Sequence, residues 1–199
     1  MRGTYNMADA SQNNQANLEV LREYVGGLAG PSRRRRQEAA HKIAVVAKSD
    51  PELVAEFIPS LIDALEQPEA QTRWEVLDAL SALCDSHATK LSGAFDGAET
   101  ALFDEGSAPV RLAAFTFLCH YGATTAKRSD QVWPLLDEAI QCYHGDAEYR
   151  DMLVALLFLA QSKASAETKE ALAARLSFDA ENGSGFVKSN SAEIVAACK

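Results

Sequence analysis

An arginine recurs at nearly constant spacing along this chain of 199 residues. The positions lie 37, 38 and 39 residues apart, at Arg36, Arg73, Arg111 and Arg150. Each arginine opens a segment with helical periodicity, and another such segment precedes it. A period of about 40 residues with two helices per unit is typical of an α-solenoid, in which each unit stacks on its neighbours.

Helical spacing of apolar residues extends over most of the chain, and the alternation typical of strands is almost absent. We expect about ten helices between residues 17 and 198. Pro51, Pro68 and Pro109 stand where helices should begin, because the first helical turn does not need the N–H that proline lacks. The sequence therefore predicts an all-α fold, a short right-handed α-solenoid of about four to five helix pairs.

The domain organisation follows from the same pattern. Residues 1–16 are polar and rich in Asn and Gln, so we expect a disordered N-terminal tail there. The repeat domain is predicted over residues 17–178. Residues 179–199 contain the run Asn182-Gly183-Ser184-Gly185 before the last apolar segment, and they are predicted to form a linker and a C-terminal capping helix.

One unit, over residues 57–80, carries the repeat pattern most clearly. Pro59, Leu61 and Leu65 lie on its first helix, and Arg73 opens its second. With these residues the chain resembles the HEAT-repeat, armadillo-like family, and the resemblance extends over about residues 18–176. It implies an α-solenoid and leaves the activity open, because such scaffolds serve many functions.

The second helix of each pair is expected to line the concave surface, which is the usual binding surface of a solenoid. In the second unit Trp74, Glu75 and Asp78 fall on the stripe that the apolar core residues leave free. The corresponding residues of the other units are Gln37, Glu38 and His41; Leu112, Ala113 and Thr116; and Asp151, Met152 and Ala155. Because tryptophan is enriched at binding hot spots, we interpret this stripe as a partner-binding site. Packing of Trp74 between neighbouring repeats is the alternative.

Charge is unevenly distributed along the chain. Residues 1–48 carry eight Lys/Arg and four Asp/Glu, whereas residues 49–199 carry 11 and 24. The acidic body favours another protein with a basic or peptide-like segment as the partner, and it makes nucleic acid a less favoured partner. Arg33 and Arg34, in a run of four arginines, are candidates for binding phosphate or a partner. Solvation or intramolecular pairing is the alternative for them.

Trp74, Asp78 and Arg111 also resemble a motif of the bacterial alkylpurine DNA glycosylases, which are built of HEAT-like repeats. That resemblance implies that Asp78 stabilises the charge developing on the sugar and that Trp74 stacks near the damaged base. Arg111 would then hold a phosphate. A DNA-binding or glycosylase-like repair protein is therefore the alternative function.

Other common sites have no motif in this sequence. Nucleotide-binding glycine loops, hydrolase nucleophile motifs and zinc-protease motifs are absent, so we expect a protein–protein interaction scaffold without catalysis or cofactor. Cys84, Cys119 and Cys142 each lie near a histidine, but their apolar context favours buried thiols over a metal site. The longest apolar run, residues 152–160, is too short to span a membrane. Without an export signal, we expect reduced cysteines and a cytoplasmic location.

Overall fold

The computed structural model describes the backbone of residues 7–199 and the side chains of residues 15–199. The described chain contains helices and no strand, which confirms the predicted all-α fold. Within the described residues, three short 3-10 segments accompany the α-helices, at Ala55–Phe57, Ala64–Glu66 and Lys90–Ala94. The helices are α1 (Met7–Leu28), α2 (Arg33–Ser49), α3 (Pro51–Val54), α4 (Ile58–Asp63), α5 (Ala70–Ala82), α6 (Cys84–His87), α7 (Phe95–Leu102), α8 (Ala108–Gly122), α9 (Ala126–Tyr143), α10 (Tyr149–Ala160), α11 (Ala166–Asn182) and α12 (Gly185–Ala197).

The helices stack in two layers. In the first layer α2, α5, α8, α10 and α12 lie side by side in that order, each packed against the next. In the second layer α1, α4, α7, α9 and α11 each pack on the first-layer helix of the same unit. Residues 7–199 thus fold as five stacked helix pairs, as expected for an α-solenoid.

One apolar core runs between the layers from Leu21 in α1 to Ile194 in α12. Three successive helices of the first layer, α2, α5 and α8, each contribute a completely buried side chain to this core: Ile43, Leu77 and Phe115. Each unit buries its apolar stripe against its neighbours, so the core is continuous across the units among the residues whose side chains are described.

Local capping explains several helix starts. The carboxylate of Asp50 accepts a hydrogen bond from the N–H of Leu53 at 3.3 Å, and Pro51 is the first residue of α3. Ser107 caps α8 in the same way, and Pro109 lies in the first turn of that helix. Pro68, in contrast, stands two residues before α5, which begins at Ala70. Side-chain oxygens thus satisfy N–H groups that have no partner within the helix.

The helix boundaries at both ends of the chain also differ from the sequence-based expectation. α1 begins at Met7 and not at Asn17, and the Ala, Gln and Met residues in between favour a helix by propensity. Residues 1–6 of the expected tail lie outside the described residues. The linker expected after residue 178 is wrong, because α11 continues to Asn182 and α12 begins at Gly185.

The last turn of α11 is held by the buried side chain of Asp179. Its carboxylate accepts a hydrogen bond from the Tyr149 hydroxyl at 3.1 Å and lies 3.0 Å from Nε2 of His144. These contacts keep the helix intact where the sequence suggested a linker. α12 then packs on α10, so it is the second helix of a fifth pair at the C-terminal end of the stack.

The recurring arginines bridge consecutive units. Nε of Arg36 donates to Glu69 at 3.0 Å, and Nη1 donates to the carbonyl oxygen of Gly30 at 2.7 Å. Arg111 repeats this geometry two units later, where its Nε donates to Glu148 at 2.9 Å. Both glutamates directly precede the next inner helix, so each ion pair fixes the start of that helix.

The other two arginines use different partners at equivalent places. Nη1 of Arg73 lies 2.6 Å from Oδ2 of Asp104, whose carbonyl oxygen accepts from Arg111 Nη1 at 2.9 Å. The guanidinium of Arg150 lies 4.5 Å from the centroid of the Phe186 ring in α12. The repeated arginine is therefore a structural feature that joins each unit to the next.

Candidate partner-binding face

The inner helices α2, α5, α8 and α10 leave one stripe of side chains that neither the core nor the outer layer covers. Residues three or four apart on a helix share a face, so these side chains form four adjacent rows. We call this surface the inner face. It consists of Gln37, His41, Val45 and Lys48 on α2; Trp74, Glu75 and Asp78 on α5; Leu112, Thr116 and His120 on α8; and Asp151, Val154 and Phe158 on α10.

Trp74 lies on α5 with its side chain half-buried. Part of its ring packs against the edge of the core, and the rest faces outward. Among the described residues, no protein group accepts a hydrogen bond from its indole N–H. Trp74 thus combines a fixed position with free apolar surface and a free donor, which suits contact with a partner.

The two carboxylates beside Trp74 are paired with cationic or titratable groups of the preceding unit. Nδ1 of His41 lies 3.0 Å from Oε1 of Glu75, and Nζ of Lys48 lies 2.8 Å from Oδ2 of Asp78. These contacts join α2 to α5 across the inner face. A basic partner that approached Glu75 or Asp78 would compete with His41 and Lys48 for them.

The remaining sequence-predicted residues fall into two groups. Gln37 and Thr116 are half-buried and lie on the inner face. Arg33 and Arg34 are exposed in the first turn of α2. Among residues 15–199, no carboxylate forms a salt bridge with either arginine, whereas Arg36 in the same run is bound to Glu69.

Arg111 does not join Trp74 and Asp78 in a shared open site. Its guanidinium donates to Glu148 and to the carbonyl oxygen of Asp104, and it lies 4.9 Å from the centroid of the Tyr143 ring. The carboxylate of Asp78 is bound to Lys48. The glycosylase resemblance assigns Arg111 and Asp78 to contacts with DNA. In this structure both side chains are instead bound to other groups of the same chain.

The sequence-based register was wrong for three residues of the inner face. Asp151 is exposed as expected, but Ala113, Met152 and Ala155 are buried. On α10 the exposed stripe continues instead through Val154 and Phe158. Val154 follows Asp151 by three residues, and Phe158 follows Val154 by four. This helical spacing is the sequence signal that could have identified the stripe.

The α10 row meets α8 through an aromatic contact. The rings of His120 and Phe158 stack with centroids 4.3 Å apart and planes inclined by 17°. Burial lowers the pKa of His120, and the nearby charge of Asp85 acts in the opposite direction. The imidazole therefore forms a mostly uncharged surface beside Phe158 near neutral pH.

The cysteines and histidines do not assemble into a cluster. Cys84 and Cys119 are buried in the core, and burial raises the pKa of both thiols. Within the described part of the chain, no three His, Cys, Asp or Glu side chains come close enough together to hold a metal ion. None of the described helices has the length and apolar character needed to cross a membrane.

Comparison with known proteins adds structural neighbours only. No protein-family model matches this chain. No curated protein matches it either. Solved structures do match it closely in fold, at sequence identities below 20%.

The structural neighbours are armadillo repeat proteins. A computationally designed armadillo repeat protein for modular peptide recognition has a TM-score of 0.73 and 17% identity, over 94% of this chain and 86% of that one. A designed armadillo repeat protein in complex with the peptide (KR)4 has a TM-score of 0.70 and 18% identity, over 89% and 81% of the two chains. The armadillo-repeats-only protein of Plasmodium falciparum has a TM-score of 0.63 and 11% identity, over 100% of both chains. This chain therefore has the armadillo/HEAT-type repeat fold.

Proposed function

We propose that this protein is a binding scaffold whose inner face holds an extended segment of a partner protein. The observation that carries the proposal is the half-exposed Trp74 at the middle of the face, flanked by the Glu75 and Asp78 pairs. A partly fixed tryptophan loses little conformational freedom on binding, which makes it a suitable anchor.

A basic segment is the partner that fits the charge of the chain. Residues 49–199 carry 24 acidic and 11 basic residues, so a cationic segment would be attracted to this part of the chain. One of the armadillo neighbours is a complex with the peptide (KR)4. Near Trp74, such a segment would exchange places with Lys48 at Asp78 and with His41 at Glu75.

Fluorescence anisotropy with a labelled (KR)4 peptide tests the proposal. The wild-type chain should bind (KR)4 and not a (DE)4 peptide of equal length, and Trp74→Ala should weaken binding by about tenfold. Trp133→Ala is the matched control, because Trp133 is a half-buried tryptophan on α9 in the outer layer. Equal losses for the two tryptophan variants, or no preference for (KR)4, would contradict the proposal.

The DNA-repair alternative makes a different prediction. A glycosylase-like protein should release the modified base from an alkylated DNA duplex and lose this activity with Asp78→Asn. A scaffold should release no base and bind the duplex weakly, with a strong dependence on salt.

A further inference from the structure

We propose that the α8–α10 end of the inner face is a second docking site, which takes an apolar side chain flanked by Lys or Arg in the same partner segment. The site is formed by Val154, Phe158, His120, Asp151 and Asp85. The inference rests on the proposed function, because it names the chemistry of the segment that the inner face would hold.

Helix α10 exposes two large apolar side chains on the inner face. Val154 and Phe158 are 53% and 40% exposed, and they lie one helical turn apart on the same face. Val45 on α2 and Phe178 on α11 are also exposed, but each lies on a different helix. Single exposed apolar residues are ordinary, whereas two neighbours on a binding surface form a patch that a partner can cover.

The position of Phe158 is fixed before any partner binds. Its ring stacks on His120 of α8 at 4.3 Å, and burial lowers the pKa of that imidazole. The two rings therefore present a preformed and mostly uncharged surface. A preformed surface costs less side-chain entropy on binding than a mobile one.

Charge then distinguishes this end of the inner face from the Trp74 end. Asp151 lies one turn before Val154 on the exposed stripe of α10, and the exposed Asp85 lies on α6, which packs on α8. Neither carboxylate forms a salt bridge with any residue whose side chain is described, whereas Glu75 and Asp78 both do. Two carboxylates that form no such salt bridge, beside an apolar patch, complement a segment with an apolar side chain between cationic ones.

Two labelled peptides of equal charge test the proposal by anisotropy. KRKLFRKR carries an apolar pair in a basic segment, and KRKSSRKR replaces that pair with serine. We expect the wild-type chain to bind KRKLFRKR about tenfold more tightly, because Leu and Phe bury apolar surface and Ser does not. Equal affinity for the two peptides would overturn the proposal.

Variants locate the effect on the chain. Phe158→Ala should bring the affinity ratio of the two peptides close to one. Phe178→Ala should leave the ratio unchanged, because Phe178 is an exposed phenylalanine of the outer layer. Circular dichroism melting of both variants checks that neither loses its fold. A ratio that persists in Phe158→Ala would overturn the assignment.

The same titration separates this inference from the proposed function. Trp74→Ala should weaken the binding of both peptides by the same factor and leave their ratio intact. If the wild-type chain bound the two peptides with equal affinity and Trp74→Ala still weakened both, only the second docking site would be overturned. Failure of both peptides to bind the wild-type chain would overturn both proposals.

Imidazole NMR gives a second readout that does not depend on affinity. The chain has four histidines, and only His120 stacks on Phe158. KRKLFRKR should shift the ring signals of His120, whereas those of His87, which pairs with Glu52 of α3, should stay unchanged. A shift of His87 without a shift of His120 would contradict the assignment.

Discussion

Arg111 of α8 and Glu148 at the start of α10 form an ion pair whose side chains are only 13% and 7% exposed. The guanidinium also donates to the carbonyl oxygen of Asp104, so it joins three successive segments of the chain. The equivalent pair between Arg36 and Glu69 joins the first two units. These buried pairs fix how one unit sits on the next.

Breaking the buried pair should destabilise the fold strongly. Arg111→Ala leaves the carboxylate of Glu148 buried without its partner, and we expect the free energy of unfolding to fall by about 3–5 kcal/mol. Urea denaturation followed by circular dichroism measures the change. Arg22→Ala is the control, because the pair between Arg22 and Glu56 is about half-exposed and should contribute under about 1 kcal/mol. If both variants lost a similar free energy of unfolding, burial of the Arg111–Glu148 pair would not be what makes it stabilising.

Stability should fall in acid partly through Glu69. The hydrogen bond from Arg36 holds the pKa of this carboxyl below its ordinary value. A carboxyl whose pKa is lower in the folded state than in the unfolded state stabilises the fold above its ordinary pKa, and this contribution is lost as the pH falls through the lowered value.

The variant Glu69→Gln isolates this contribution. Urea denaturation from pH 7 down to pH 3 should show a smaller decline in the free energy of unfolding for Glu69→Gln than for the wild-type chain. Glu56→Gln is the exposed control and should follow the wild-type curve. An unchanged pH dependence in Glu69→Gln would contradict the assigned pair.

Thiol reactivity should follow burial. Cys142 is exposed and should react quickly with a thiol reagent in the native protein. Cys198 is partly buried with a raised pKa, so it should react more slowly. Cys84 and Cys119 should react only after unfolding, since both are buried and burial raises their pKa. Mass spectrometry of timed alkylation measures the order, and early labelling of Cys119 would contradict this packing of α8.

Gly122 permits the close approach of α8 and α9. A Cβ atom at this position would lie 2.6 Å from Cγ2 of the buried Val132, so Gly122→Ala should cost about 1–3 kcal/mol of stability. Adding Val132→Ala should make the combined loss smaller than the sum of the single losses, because the second change removes the clash. Thermal and urea unfolding of the four proteins measure this coupling.

Gly26 is the matched control for that substitution. A Cβ atom there would meet no neighbour within 4 Å, and the residue is exposed near the end of α1. Gly26→Ala should therefore raise stability by up to about 1 kcal/mol through helix propensity. Destabilisation by both substitutions would point to a general intolerance of change and not to contact with Val132.

The sequence by itself determined the architecture of this protein. The recurring arginines, the helix-starting Pro51 and Pro109, and the apolar spacing around Leu77 all express local helical geometry. Such periodicity is encoded within each segment, so helix pairs and their stacking could be predicted without a structure. The sequence also placed Trp74 on α5 beside Glu75 and Asp78, where the structure shows it half-buried against the edge of the core.

Only the tertiary structure decided which side chains are free on that stripe. The carboxylates bound by Arg36, Lys48 and Arg111 lie in the next unit, about 30 to 37 positions away in the sequence. The exposure of Val154 in place of Met152 depends on the rotation of α10 between its neighbours. Both features arise from packing between units, which the periodicity of a single helix does not contain.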